Sequence, residues 1–168
     1  VAHAPALTLY SCQFHYLRKN FFGMPLIHAT LTKRDYGFTV KDANDHSMFI
    51  DIPEAQGGGG QGMRPMQTVL AALTGCSGVD VVSILKKQRQ EYDSLEIKVD
   101  GEREAGKEPS LWSSIHISFE LSGTVDPLKA YRAADLSINK YCSVAETLRR
   151  AGASITWSVI VNGTTVEV

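Results

Sequence analysis

Three cysteines, Cys12, Cys76 and Cys142, carry most of the chemistry open to this chain of 168 residues. A thiol attacks as its thiolate, and a helix N-terminus or a nearby cation favours that anion. None of the three falls in a CxxC or in metal-ligand spacing with histidine, so the spacing predicts no metal. Cys76 lies in "GCSG", inside the apolar stretch "GMRPMQTVLAALTGCSGVDVVSIL". If a helix breaks there, Ser77 caps a second helix whose third position is Asp80. Cys76 then meets the positive end of a helix dipole. If the helix runs on, Gly75 and Gly78 let another backbone approach closely. Asp80 then lies one turn from the sulfur and opposes its ionisation. In both cases simple burial competes, because free cysteine is among the most buried residue types.

Cys142 closes one helical pattern and precedes "SVAETLRRAG". Two thiols at element junctions suit an attacking and a resolving pair, which passes through a sulfenic acid to a disulfide. Bridging needs Cα atoms within roughly 7 Å, and plain packing at a helix end is the competing reading for Cys142. A hydrolytic or acyl-transfer role for Cys76 needs a histidine base. His28 and His116 fall in strand patterns and His46 in a turn, and none is paired with a cysteine by the sequence. The run "GGGGQG" scores as GxGxxG, but no parallel βαβ unit follows and Met63-Arg64-Pro65 intervenes. It reads as a mobile loop rather than a phosphate cradle.

The elements that must position these thiols are legible from periodicity. "PLIHATLTK", "DYGFTVKD" and "SMFIDI" have strand chemistry and form an antiparallel meander. Pro65 suits a first helical turn, with Met66, Leu70 and Leu73 on one face and "KKQRQ" at the basic end. "SLEIKVDGERE" and "LWSSIHISFELSG" alternate as a strand pair. Asp126-Pro127 opens a helix carrying Leu128, Tyr131, Ala134, Leu136 and Ile138. A Ser143–Glu146 capping box opens a last short helix that stops at Gly152. "SITWSVIVNG" is a final strand. The order βββ-αα-ββ-αα-β predicts an α+β fold without βαβ alternation.

Composition bounds the rest. A hydrophobic content of 43% builds a core without staples, and a net charge of -1 gives no bulk attraction to nucleic acid or anionic membrane. No apolar run of membrane-spanning length is expected. An odd, low cysteine count points to a reducing, cytoplasmic setting. Residues 1–23 read as an N-terminal extension or arm, and 24–168 as one domain.

Pro65, "LAAL", Gly75-Cys76, "DVVSIL" and, downstream, "KYCSVAETL" resemble the OsmC/Ohr family, and within it the YhfA-type subgroup. The likeness runs from about Pro25 to Gly163. It implies an OsmC-like α+β fold: antiparallel sheets, two central helices and an intertwined homodimer with active sites at the interface. It implies a thiol-dependent peroxidase that reduces organic hydroperoxides in oxidative-stress defence and is recycled by a dithiol, with no cofactor. Cys76 matches the family's reactive cysteine, Cys142 its resolving cysteine, and Arg34 its arginine. The family's glutamate after the proline is replaced here by Met66, and the proline after the resolving cysteine by Ser143. Gln67 or Glu54 is then the candidate partner of Arg34, with Asp80 as a further supporting residue. Met66, Val69, Leu70 and Leu73 would line the substrate approach. The alternative is a non-catalytic dimer that holds a small ligand or thiol.

Overall fold

The computed structural model describes residues 26–32 and 36–168. Cys12, Arg34 and the arm read over residues 1–23 lie outside them. Three short strands, β1 (His28–Leu31), β2 (Phe38–Lys41) and β3 (Ser47–Ile50), form the expected antiparallel meander. The turn between β2 and β3 is built on Asp42, whose carboxylate accepts the N–H groups of Asn44 and His46. That is the local bonding that makes aspartate a turn residue. The sheet is largely exposed, with Leu31, Phe38 and Met48 at its surface.

The glycine loop after it is ordered rather than loose. Asp51, only 2% exposed, accepts the N–H groups of Ile52 at 2.8 Å, Gly59 at 3.1 Å and Gln61 at 3.2 Å. Gly57, Gly58 and Gly60 donate to the carbonyls of Glu54, Pro53 and Ile52. The amides that a phosphate would need are therefore already bonded. At Gly58 a Cβ would strike the Ile52 carbonyl, so the close turn admits only glycine there.

The loop leads into α1 (Pro65–Lys87), with Pro65 at its first position and Lys86 and Lys87 in its last turn. α1 is one unbroken helix of 23 residues, which corrects the expectation of two helical segments here. Leu73, Ser77, Val81 and Leu85 recur every fourth residue and are all buried. Burial of that stripe outweighs a cost of about 1 kcal/mol for each interior glycine. Ser77 does not cap a helix; its hydroxyl donates back to the Leu73 carbonyl at 2.8 Å. Gly78 makes room for a side chain rather than a backbone: a Cβ there would lie 2.8 Å from Ile97 Cδ1. The expectation of no membrane-length run is corrected too. By length and composition α1 would suffice to cross a membrane, but in this fold one face of it packs on a strand and two further helices.

The second sheet has the order β4 (Ser94–Arg103), β5 (Trp112–Ser122), β6 (Ser154–Val161) and β7 (Thr164–Thr165). β4 and β5 pair antiparallel, with Ile97 opposite Phe119. β5 and β6 run parallel, with Phe119 opposite Val159. The fold is α+β as expected, but this sheet is mixed. The chain returns from β5 to β6 through α2 (Pro127–Leu136), a π-helical turn (Ser137–Tyr141) and α3 (Ser143–Arg150), the long crossover that a parallel neighbour requires. Asp126 caps α2 as expected, accepting the Lys129 N–H. Leu128 is 62% exposed, and Ala130, Ala133 and Ala134 face the core. They pack with Ile115, Ile117, Phe119, Val159, Leu73, Val81 and Leu85.

Candidate active site at two facing thiols

α1 carries Cys76 at mid-helix, half-buried, and the junction between the π-helical turn and α3 carries Cys142, buried at 3% exposure. Both sulfurs are free thiols. The Cys76 sulfur lies near enough to Cys142 to raise its pKa. Cys76 is about three turns from either end of α1, so the dipole argument for its thiolate is corrected; that field fades within the first turn.

The helix N-terminus belongs to the other cysteine. Cys142 is the N-cap of α3, its Sγ accepting the Ala145 N–H at 3.4 Å, while the Glu146 N–H reaches the Cys142 carbonyl at 3.1 Å. This corrects the Ser143–Glu146 capping box: Ser143 is the first helical residue, and the Glu146 side chain pairs with Arg150 instead. Burial pushes the Cys142 thiol up from 9.0 to about 11; the Ala145 and Val144 N–H groups pull against that, and the Cys76 sulfur adds to it. Cys142 is thus kept as a thiol at neutral pH.

The junction is held from both sides. The Cys142 N–H closes the π-helical turn onto the Ser137 carbonyl at 2.8 Å. Arg149 of α3 reaches back to the Ile138 carbonyl at 2.8 Å and to Asn139 Oδ1 at 2.9 Å. Fully buried Ser137 donates across to the Ser77 carbonyl at 3.1 Å and to Asp80 Oδ2 at 3.4 Å. Asp80 is therefore turned towards the π-helical turn. Neither this turn nor Arg149 was among the residues singled out from sequence. A widened helical turn beside a reactive residue has no periodicity of its own to show.

Of the remaining candidates, Arg34 lies outside the described residues. The Gln67 side-chain oxygen accepts the Arg64 backbone N–H at 3.0 Å and so caps α1. Glu54 is exposed on the short turn before the glycine loop. Met66, Val69 and Leu70 are half-buried against the core, and Leu73 is wholly inside it.

The family description "OsmC-like protein" matches residues 58–158. Protein YhfA of Escherichia coli K12 is 38% identical over 115 residues, covering 68% of this chain and 82% of that protein. A hypothetical protein from Aquifex aeolicus VF5 superposes with a TM-score of 0.68 at 29% identity, over 83% of this chain and 98% of that one. A Legionella pneumophila structure described as an organic hydroperoxide resistance protein OsmC superposes with a TM-score of 0.63 at 14% identity, over 84% of this chain and 99% of that one.

Proposed function

From the premise that this chain belongs to the OsmC-like protein family, we propose that it is a thiol-dependent peroxidase acting on organic hydroperoxides. The observation that supports this most directly is the proximity of a half-buried Cys76 to a buried Cys142, close enough for the first sulfur to raise the pKa of the second. The accessible sulfur attacks and the protected one resolves. Cys76, as thiolate, displaces an alcohol from the distal peroxide oxygen and becomes a sulfenic acid; the alkoxide takes a proton from solvent. The Cys142 thiol then attacks the Cys76 sulfur, water leaves, and the disulfide forms. An external dithiol reduces that bridge through a mixed disulfide.

A raised thiol pKa separates the two roles, and in the second step the Cys142 proton passes to the departing hydroxyl of the sulfenic acid. Cys142 does not compete for peroxide at neutral pH, yet it stands beside the sulfenic acid when that forms. Arg34 is the proposed cation for the Cys76 thiolate. In this reading the enzyme works as a homodimer in the cytoplasm, where a dithiol pool keeps it reduced. The Legionella protein's description as an organic hydroperoxide resistance protein supports the substrate class.

The test is consumption of cumene hydroperoxide with dihydrolipoamide by wild type, Cys76→Ser and Cys142→Ser. Turnover should vanish in Cys76→Ser. In Cys142→Ser a single turnover should survive and leave Cys76 as sulfenic acid, trapped by dimedone. Equal rates in wild type and Cys76→Ser would sink the peroxidase and leave a binding role for the thiol pair.

A further inference from the structure

The π-helical turn before Cys142 is held by an exchange of hydrogen bonds. In an α-helix the Cys142 N–H would bond the carbonyl four residues back, that of Ile138. It bonds the Ser137 carbonyl instead, five residues back, at 2.8 Å. The Ile138 carbonyl thereby loses its α-helical partner. Arg149 Nη1, from α3, donates to it at 2.8 Å in that partner's place.

Arg149 is half-buried. Its fork holds two neutral oxygens of adjacent residues, the Ile138 carbonyl and Asn139 Oδ1, rather than a carboxylate. Asn139 passes that grip to α2, its Nδ2 donating to Asp135 Oδ1 at 2.8 Å. Ser137 ties the other side of the turn to α1. Its buried hydroxyl donates to the carbonyl of Ser77, the residue after Cys76, at 3.1 Å. The same Ser137 accepts the Cys142 N–H through its own carbonyl. One residue therefore touches the backbone of Cys142 and the backbone next to Cys76. Removal of Arg149 would free the Ile138 carbonyl to take back the Cys142 N–H in α-helical register. Each residue turns an α-helix by about 100°, so a change of register re-aims the chain where it leaves the turn at Cys142.

We propose that Arg149 is a positioning residue for the resolving step. With Ser137 on the opposite side, it holds the π-helical turn open so that Cys142 is presented to Cys76. The proposal rests on the thiol-pair reading above. The bonds of Arg149 go to a backbone and an amide oxygen and not to a sulfur, so the attack of Cys76 on its own substrate should not depend on it. Lysine does not replace it, because one ammonium lacks the planar fork that spans two acceptors.

The experiment follows the thiols without peroxide, in the full chain carrying Cys12→Ser so that only Cys76 and Cys142 respond. With one equivalent of dithiobis-nitrobenzoate, the Cys76 thiolate cleaves the reagent's disulfide. One thionitrobenzoate leaves and the other stays on Cys76 as a mixed disulfide. Cys142 then loses its proton to solvent, attacks the Cys76 sulfur and expels the second thionitrobenzoate. The parent chain should release both. In Arg149→Ala the first release should keep its rate and the second should slow about tenfold or more, since a reacting atom misplaced by about 1 Å can cost a hundredfold. Arg149→Lys should fall between the two. Ser137→Ala, which nearly keeps the buried volume, should slow the second release as well, and these two variants carry the test if Arg149→Ala does not fold. Arg150→Gln, exposed on the same helix and bonded to Glu146, should match the parent. Parental rates of second release in the Arg149 variants would overturn the proposal. Equal slowing of both releases would overturn it too, because that marks a residue that only holds the fold. A parent chain that releases a single equivalent would remove the cysteine pair and the proposal together. An Arg149-dependent second release from a protein that leaves cumene hydroperoxide unconsumed would uphold the proposal and remove the peroxidase reading alone.

Discussion

Cys142 shows how one residue takes two roles from its surroundings. Its sulfur caps α3 through the Ala145 N–H, which favours the thiolate, yet burial wins and its pKa rises from 9.0 to about 11. A measurable stability term follows. A folded pKa above the unfolded one means that the native state holds its proton more tightly. The stabilisation is then complete below pH 9 and is lost as pH rises through 11. Two units correspond to roughly 2–3 kcal/mol at most. Chemical denaturation of the reduced protein should show stability falling between pH 9 and 11, and Cys142→Ala should flatten that fall. A parallel decline in both proteins would show that another group titrates. At this scale the sequence was readable in part. The identities of the cysteines and the junction position of Cys142 stood out, but the nearness of the two sulfurs joins residues remote in the chain, and no local pattern records it. Asp51 went unnoticed for a different reason: an aspartate before a glycine run looks like loop composition until its three N–H partners are seen.

Elements were easier to read where a single face decided them. The alternation Ile115, Ile117, Phe119, Leu121 on β5 and the Asp126-Pro127 start of α2 are local signals, and both appear as expected. The middle of α1 is where local propensity misleads. Two glycines and a serine look like a stop, but the buried row from Leu73 to Leu85 holds the helix together. Parallel pairing of β5 and β6 is a property of the crossover, invisible in either strand alone. Gly78 tests the packing account. Its hydrogen faces Ile97 Cδ1 at a distance where a Cβ would need that methyl to move. Gly78→Ala should be close to neutral, because the gain in helix propensity of up to about 1 kcal/mol offsets a small shift of Ile97. Gly78→Leu should cost about 1–3 kcal/mol by overpacking. Urea midpoints of the two variants separate this from a glycine needed for flexibility, which would make both equally harmful. The glycine loop yields a second test at this scale. Asp51→Ala leaves the Ile52, Gly59 and Gln61 N–H groups without their acceptor and should cost about 2 kcal/mol or more. Loss within experimental error would mean that the loop is held by its other bonds.

At the scale of the molecule, the described part of one chain leaves too much apolar surface uncovered. Leu31, Phe38 and Met48 on the three-stranded sheet are exposed, and so are Val79, at 71%, and Val82 on α1. α1 is apolar on faces that the described part of this chain does not bury, and a helix hydrophobic all round is normally enclosed. Gly75, beside Cys76, has no described residue within 4 Å of where a Cβ would stand. A second copy laid against α1 would cover these surfaces together and enclose the half-buried Cys76. The interface would be isologous, the usual closure for a homodimer, and of the large apolar kind found in obligate pairs. Val79→Arg isolates the claim, because at its exposure the substitution costs a lone chain almost nothing, whereas an arginine placed in an apolar interface without a partner is strongly unfavourable. Sedimentation at micromolar concentration should give twice the chain mass for wild type. Val79→Arg should give a monomer or a destabilised chain, with peroxidase turnover reduced alongside. A wild-type monomer with native circular dichroism would remove the dimer from the proposal, and the exposed face of α1 would then need another partner to account for it.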